Sequence, residues 1–287
     1  MATVGEVLVI GATGTTGRRV AEFLRERDVA LRLATRTPGT APGQVRFDWT
    51  DPATHAPATT GVSALYLVAP IGVHEPVPLV EPFLKTAVRE GVQRVVLLGS
   101  SAVPAGPAGL GALYGLVRDI AVEWTVLRPS WFMQNFTGDH SVALGVRDGE
   151  IVTATGAGRV AFIDADDIAA VAGHALTDLA PHDTEHILTG PAALGYGEAA
   201  AILAARLGRA VTHRSVSVAE LTARHIEFGL PRDFAAALAQ LDDDIRGGAE
   251  DRVTDTVARV TGRPPRSFAD FVRNALPGHS SVPGAAR

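Results

Sequence analysis

Gly11, Gly14 and Gly17 follow the apolar run Val7-Leu8-Val9-Ile10 and open a segment of helical spacing over residues 15–27. The four apolar residues read as a parallel strand buried on both faces. Gly11 permits the tight turn, and Gly14 removes a side chain where backbone must approach a phosphate. Gly17 lets the helix pack close to the strand. The first N–H groups of that helix lack intrahelical partners, and its dipole is positive at this end. Strand, turn and helix together cradle the pyrophosphate of a dinucleotide. Thr13, Thr15 and Thr16 are candidate hydroxyl donors to it.

Residues 30–36 form the next expected strand, which ends Thr35-Arg36. A site built for NAD places Asp or Glu there to hold the ribose 2′-hydroxyl. A guanidinium instead grips a 2′-phosphate with two hydrogen bonds. Arg36 therefore points to NADP(H), the competing reading being a solvated arginine at a strand end.

These residues need a sheet to position them. Expected strands at 44–48, 62–68, 94–98 and 123–127 alternate with helices at 77–90 and 112–120. Residues 104–111, rich in Gly and Pro, read as a loop. The pattern predicts an α/β fold, a doubly wound parallel sheet of Rossmann type. Short strands at 151–155 and 159–163, a helix at 164–176, a strand at 185–188 and a helix at 197–207 follow. Beyond 211 the chain reads as mostly helical. The expected division is a dinucleotide-binding domain over 1–130, its sheet completed by a strand near 185–189. A smaller, mostly helical substrate-capping lobe then spans most of 131–276, and 277–287 is a flexible tail.

The chain has 287 residues, 46% hydrophobic and 20% charged, enough for a packed core. Net charge is −5, which argues against nucleic acid or an anionic membrane as partner. With no cysteine, disulfides, zinc-thiolate sites and cysteine nucleophiles are excluded. No signal peptide or transmembrane run is expected, so the reading is a cytoplasmic protein, monomer or homodimer, with a small-molecule substrate. His182 and His186 stand four apart, but Pro181 and the following strand pattern oppose a helical metal site, and no metal is expected. Asp166-Asp167 reads as a helix cap, and Asp242-Asp243-Asp244 as a solvated helix face.

Longer segments carry a family resemblance. They are Arg46-Phe47-Asp48-Trp49, Ala64 to Pro70, Trp124 to Phe136, Ala161 to Ala169, Leu241 to Asp251 and Val260 to Phe268. With the Gly-x-x-Gly-x-x-Gly spacing, these resemble the NmrA-like branch of the atypical short-chain dehydrogenase/reductases. Within it they are most similar to the festuclavine/agroclavine dehydrogenase group and its bacterial relatives. By position, the resemblance implies that Arg36 meets the 2′-phosphate and Asp48 the adenine edge. Ala69, Pro70 and the loop to His74 would wall the nicotinamide. Gly99 and Ser100 occupy the strand end where that superfamily places a catalytic serine. Asp48 could equally cap the turn before Thr50-Asp51-Pro52, and Ser100 could merely satisfy its strand end.

The superfamily's usual catalyst is Tyr-x-x-x-Lys, in which lysine lowers the tyrosine pKa. This chain has Tyr114-Gly115-Leu116-Val117-Arg118, and its only lysine is Lys85 on an earlier helix. Arg118 lies on the same helical face as Tyr114 and could support a tyrosinate, though with a different geometry. The alternative is Tyr114 as pocket wall and Arg118 in a surface ion pair. A ketone receiving hydride needs a strong proton donor; a quinone yields a stable phenolate, and an iminium yields a neutral amine with no proton required. A weakened acid therefore favours iminium, quinone or conjugated enone acceptors. Trp131, Phe132, Met133 and Phe136 follow the carboxyl end of a sheet strand, where ligands bind in open α/β sheets. They predict an aromatic acceptor pocket with Gln134 and Asn135 as polar contacts, or else a buried lobe junction.

The resulting expectation is an NADPH-dependent oxidoreductase of a small, hydrophobic, electron-poor acceptor. The resemblance implies an imine or iminium in specialised metabolism. The alternatives are an NADP(H)-binding redox sensor without turnover, and a non-redox isomerase or cyclase.

Overall fold

The computed structural model describes residues 5–277, so the expected tail lies outside the described residues apart from Pro277. In chain order the elements begin β1 (Glu6–Val9), α1 (Gly17–Arg25), β2 (Leu31–Thr35), β3 (Gln44–Arg46), α2 (His55–Thr59) and β4 (Val62–Val68). Next come α3 (Val77–Arg89), β5 (Arg94–Leu98), α4 (Gly109–Ile120), β6 (Glu123–Pro129), α5 (Ser141–Asp148), β7 (Glu150–Thr153) and β8 (Arg159–Val160). The chain continues with α6 (Ala165–Thr177), β9 (Thr184–Leu188), β10 (Leu194–Gly195), α7 (Tyr196–Leu207) and β11 (Thr212–Ser215). Four helices follow: α8 (Val218–Glu227), α9 (Arg232–Arg246), α10 (Thr256–Thr261) and α11 (Phe268–Ala275).

Two compact units result. The first takes the chain up to Ser130 with Ala165–Leu188 and Thr254–Pro264; the second takes Trp131–Asp164, Thr189–Val253 and the chain from Pro265. The first unit thus claims α6 and α10, which the expected division had left in the lobe. A helix patterned to cover a sheet is claimed by that sheet, wherever it falls in sequence.

The first unit is a seven-stranded sheet in the order β3-β2-β1-β4-β5-β6-β9, parallel throughout, with helices on both sides in a Rossmann-like arrangement. Its strands are apolar on both faces because both are covered. Leu8, Leu65, Leu67, Val95 and Leu97 pack with Phe83 and Leu84 of α3 and Leu113 of α4. Helices α1 and α6 pack on each other. There Phe23 leans over Gly173, where a Cβ would stand 2.1 Å from Phe23 Cδ1. At the start of α6, Asp166 pairs with Arg19 at 2.5 Å, and the buried Asp167 pairs with Arg263 of the α10 segment at 3.1 Å. The two acids expected to cap the helix thus lie in its first turn and anchor two other segments.

The second unit is built on an aromatic core. Phe136 meets Phe162, Phe268 and Tyr196 with ring centroids 5.0, 4.8 and 5.9 Å away. Strands β7 and β11 pair in parallel, and β8 and β10 antiparallel. Strand β11 lies where mostly helix was expected. Its sequence Thr-His-Arg-Ser is polar and carries no strand periodicity; pairing with β7 makes it a strand.

The Phe23–Gly173 contact yields a test. Gly173→Ala should lower stability by about 1–3 kcal/mol through overpacking, despite the better helix propensity of alanine. Phe23→Ala added to it should recover part of that loss in urea denaturation. A Gly173→Ala variant as stable as the parent would contradict the packing described.

Candidate active site

The glycine turn is shaped as its spacing demands. Gly11 adopts φ +73°, and its carbonyl accepts from the Gly14 N–H at 2.8 Å. A Cβ on Gly17 would stand 2.2 Å from that same carbonyl oxygen, and one on Gly14 3.2 Å from it. Helix α1 therefore starts within contact of the turn, its N-terminus at the carboxyl end of β1. Thr13, Gly14 and Thr15 are exposed there, whereas Thr16 is 5% exposed and turned inward beside Tyr66. This cradle, open at the helix end and closed to any Cβ beneath, fits a dinucleotide pyrophosphate. Thr13 and Thr15 are its available hydroxyls, and the expectation for the Thr16 hydroxyl is corrected.

At the end of β2, Arg36 is exposed and forms no hydrogen bond or ion pair among the described residues. Arg46, at the end of the neighbouring β3, is instead engaged by Asp51 at 3.1 Å. Asp48 Oδ1 accepts from both the Thr50 N–H at 2.9 Å and the Thr50 hydroxyl at 2.8 Å. These bonds, with the positive charges of Arg36 and Arg46, hold its carboxyl below the ordinary value. Asp48 is thus first a turn cap. Ala69 and Pro70 are partly buried after β4, and His74 is 92% exposed beside Glu75.

The strand end after β5 holds the largest departure from expectation. Tyr114 is buried, and its hydroxyl accepts from the Ser100 N–H at 3.0 Å and donates to the Ser100 carbonyl at 3.2 Å. It lies so close to Gly99 that a Cβ there would meet the phenol oxygen at 2.7 Å. Burial pushes the phenol above its ordinary value, opposed by the Ser100 N–H and the charge of Arg128. Arg118 gives it no support: its side chain is 58% exposed and pairs with Asp119 at 3.1 Å. One helical face placed the two residues together, but the long side chain leaves the interior to keep its charge in water.

The cation beside Tyr114 is Arg128, its guanidinium 5.5 Å from the ring centroid. Arg128 donates to the carbonyls of Ser100 and Val103 and pairs with Glu185 of β9 at 2.8 Å. The Ser100 hydroxyl accepts from the Ala102 N–H at 3.2 Å. The only sequence signal for Arg128 was its place at a strand end before Pro129. On the same β9, His186 Nε2 lies 2.9 Å from His182 Nδ1, and His182 reaches Asp178 at 3.2 Å. The two rings serve each other, and burial brings His186 down to about 4.

The second unit contains a cavity of about 410 Å³. Trp131, Asn135, Tyr196, Phe228 and Phe234 line it, and Asp242 stands in its wall. The other aromatic candidates are placed differently. Met133 and Phe136 are buried in the core, Phe132 bridges to Ile163, and Gln134 donates to Asp164. The solvated reading of the acidic triplet holds for Asp244, which is exposed, and in part for Asp243, which pairs with Arg246 at 3.2 Å. It fails for Asp242, whose Oδ2 accepts from the Ala154 N–H at 2.9 Å. The missed signal was helical phase: Leu238, Leu241, Asp242 and Ile245 share one apolar face of α9. Burial raises the Asp242 carboxyl to about 6, against the Ala154 N–H and the charge of Arg246.

That raised value has a consequence for stability. The folded chain holds the Asp242 proton more tightly than the unfolded chain, so its charge opposes folding. The cost is absent below the ordinary value of 3.8 and complete above about 6. Asp242→Asn, which retains an acceptor for Ala154, should stabilise the chain near neutral pH by on the order of 2–3 kcal/mol and hardly at all in acid. Denaturation at both pH values measures this; an equal effect at both would refute it.

Comparison with known proteins fits this geometry. A family model described as NAD(P)H-binding matches residues 11–179. The uncharacterised oxidoreductase YesF of Bacillus subtilis (strain 168) is 48% identical over 268 residues, covering 92% of this chain and 93% of its own. Festuclavine synthase II of Penicillium roqueforti (strain FM164) is 36% identical over 284 residues, covering 93% of this chain and 97% of its own. The NADPH-dependent quinone oxidoreductase QOR2 of Escherichia coli, solved with NADPH, matches with a TM-score of 0.81 at 25% identity, over 94% of this chain and 98% of that one. The chain therefore belongs to the NAD(P)H-binding family as an NAD(P)-dependent oxidoreductase.

Proposed function

We propose that the protein is an NADPH-dependent reductase of a small, hydrophobic, electron-poor acceptor, an imine or iminium before a quinone or enone, and that it serves specialised metabolism. The observation that carries this reading is the state of Tyr114. Its hydroxyl is committed to both backbone groups of Ser100, its pKa is raised, and no lysine or arginine of its own helix reaches it. A phenol so held is a poor source of a proton on the reaction timescale. Tyr114 and Ser100 shape the strand end, and Arg128 fixes it.

Gly11, Gly14, Gly17, Thr13 and Thr15 would hold the pyrophosphate, Arg36 the 2′-phosphate, Asp48 the adenine edge, and Ala69, Pro70 and Gly99 the nicotinamide. Bound there, the cofactor supplies hydride. An iminium carbon, whether N-alkylated or belonging to a cyclic imine already protonated in solution, takes the hydride, moves its π pair onto nitrogen and leaves as a neutral amine, with no proton needed from the protein. A quinone leaves as a stabilised phenolate. The residues' contribution is then to orient both reactants and keep water away. Trp131 and Asn135 are the acceptor contacts this reading keeps, and His74 one it places on an exposed loop. The similarity to a relative named festuclavine synthase II supports this reading.

Two measurements test the reading. NADPH oxidation by the purified protein should proceed with cyclic imines and N-alkylated iminium salts, and Tyr114→Phe should keep kcat within about tenfold, as expected where general acid catalysis worth roughly 10²–10⁴ is absent. Turnover of simple ketones, abolished in Tyr114→Phe, would overturn it. Arg36→Ala should weaken NADPH binding by about 10- to 100-fold, the worth of a charge-assisted pair, and leave NADH binding unchanged. Equal losses for both cofactors would remove Arg36 from the 2′-phosphate.

A further inference from the structure

We propose that Asp242 is the counter-ion of an organic cation bound in the second unit's cavity, and that it makes the acceptor site select cationic over neutral molecules. The inference rests on the reading of the protein as a reductase of imines and iminium ions, and supplies the residue that would choose among acceptors.

The cavity is aromatic and apolar, with Trp131, Tyr196, Phe228 and Phe234 around it. Rings of this kind attract a cation through their quadrupole, and do so most strongly where water is excluded. A flat polycyclic molecule suits the shape of such a lining, and about 410 Å³ lies within the range of small-molecule sites. Apolarity alone would accept neutral molecules equally well.

Asp242 breaks that indifference. Only Oδ2 is engaged, by the Ala154 N–H, and Asp242 forms no ion pair among the described residues. The neighbouring charges do not pair with it, although that of Arg246 acts on it. Arg246 pairs with Asp243 and donates to the carbonyls of Ala154 and Val216. Asp139 at the rim stands in solvent beside Arg147. The two histidines of the lining, His140 and His225, are held below the ordinary imidazole value by burial, and so are neutral near neutral pH. His213, outside the lining, is lowered likewise and meets Thr153 at 2.7 Å.

A carboxylate left single in an apolar wall is costly, and an asparagine would serve Ala154 as well. The charge has a use when a ligand brings its opposite. An iminium acceptor is cationic before hydride arrives and neutral after it, so Asp242 favours the substrate over the newly formed product.

The test uses the full-length protein and needs no turnover. N-methylisoquinolinium and methylnaphthalene have the same shape and differ by one charge. Calorimetry or quenching of tryptophan fluorescence should give about 10- to 100-fold tighter binding of the cation. Asp242→Asn should abolish most of that preference, and Asp242→Glu should retain part of it. In turnover, Asp242→Asn should lower the ratio of kcat/KM for an iminium salt to that for a quinone by a similar factor. Equal affinities for the two probes in the parent protein, or a preference surviving in Asp242→Asn, would overturn the inference. Reduction of imines with no effect of Asp242→Asn would defeat this inference alone. Cation binding without any imine reduction would defeat the functional reading and leave Asp242 as the counter-ion.

Discussion

The closeness of α1 to the turn after β1 is the constraint on which the rest of the first unit depends. A Cβ on Gly17 would fall 2.2 Å from the Gly11 carbonyl oxygen, inside any tolerable contact. Only glycine lets the helix begin there, so its positive N-terminal end lies at the carboxyl end of the sheet. Strands β2 and β4 pair with β1 on either side, and each ends beside this point with Arg36 or with Ala69 and Pro70. The positions proposed to meet the cofactor are thus consequences of one close approach and of parallel register.

Burial also sets the state of Tyr114. Tyr114 occupies the helix position where the superfamily pattern puts an acid, yet it is packed against Gly99 and bonded twice to Ser100. A buried phenol must satisfy its hydroxyl, and the nearest groups are backbone. Once so satisfied it braces the strand end, with Arg128 and Glu185 completing the brace from β6 and β9. Under the proposed function the same bonds take Tyr114 out of proton chemistry, and acceptors that need no proton suit that arrangement.

The second unit spends energy in a different way. Its core of Phe136, Phe162 and Phe268 is conventional aromatic packing. Its cavity instead places a carboxylate among apolar side chains, at a cost to folding near neutral pH. Ionisable groups whose environment opposes their charge gather where function needs them.

The sequence by itself determined the strand–glycine–helix cradle and the alternation of strands and helices that makes the sheet parallel. These follow from local pattern: apolar runs, turn glycines and helix phase act within a dozen residues. Tertiary structure alone decided which arginine stands beside Tyr114. Arg118, four residues away, prefers water, while Arg128 is brought in by the β5–β6 pairing and fixed by Glu185 from a distant segment. Tertiary structure likewise turned Asp242 inward while Asp244 stayed in solvent, because only the packing of α9 shows which of three adjacent acids meets the interior. It also made β11 a strand and sent Met133 and Phe136 into the core rather than to the cavity. Each of these depends on a partner remote in sequence, and single-residue chemistry carries no record of who that partner will be.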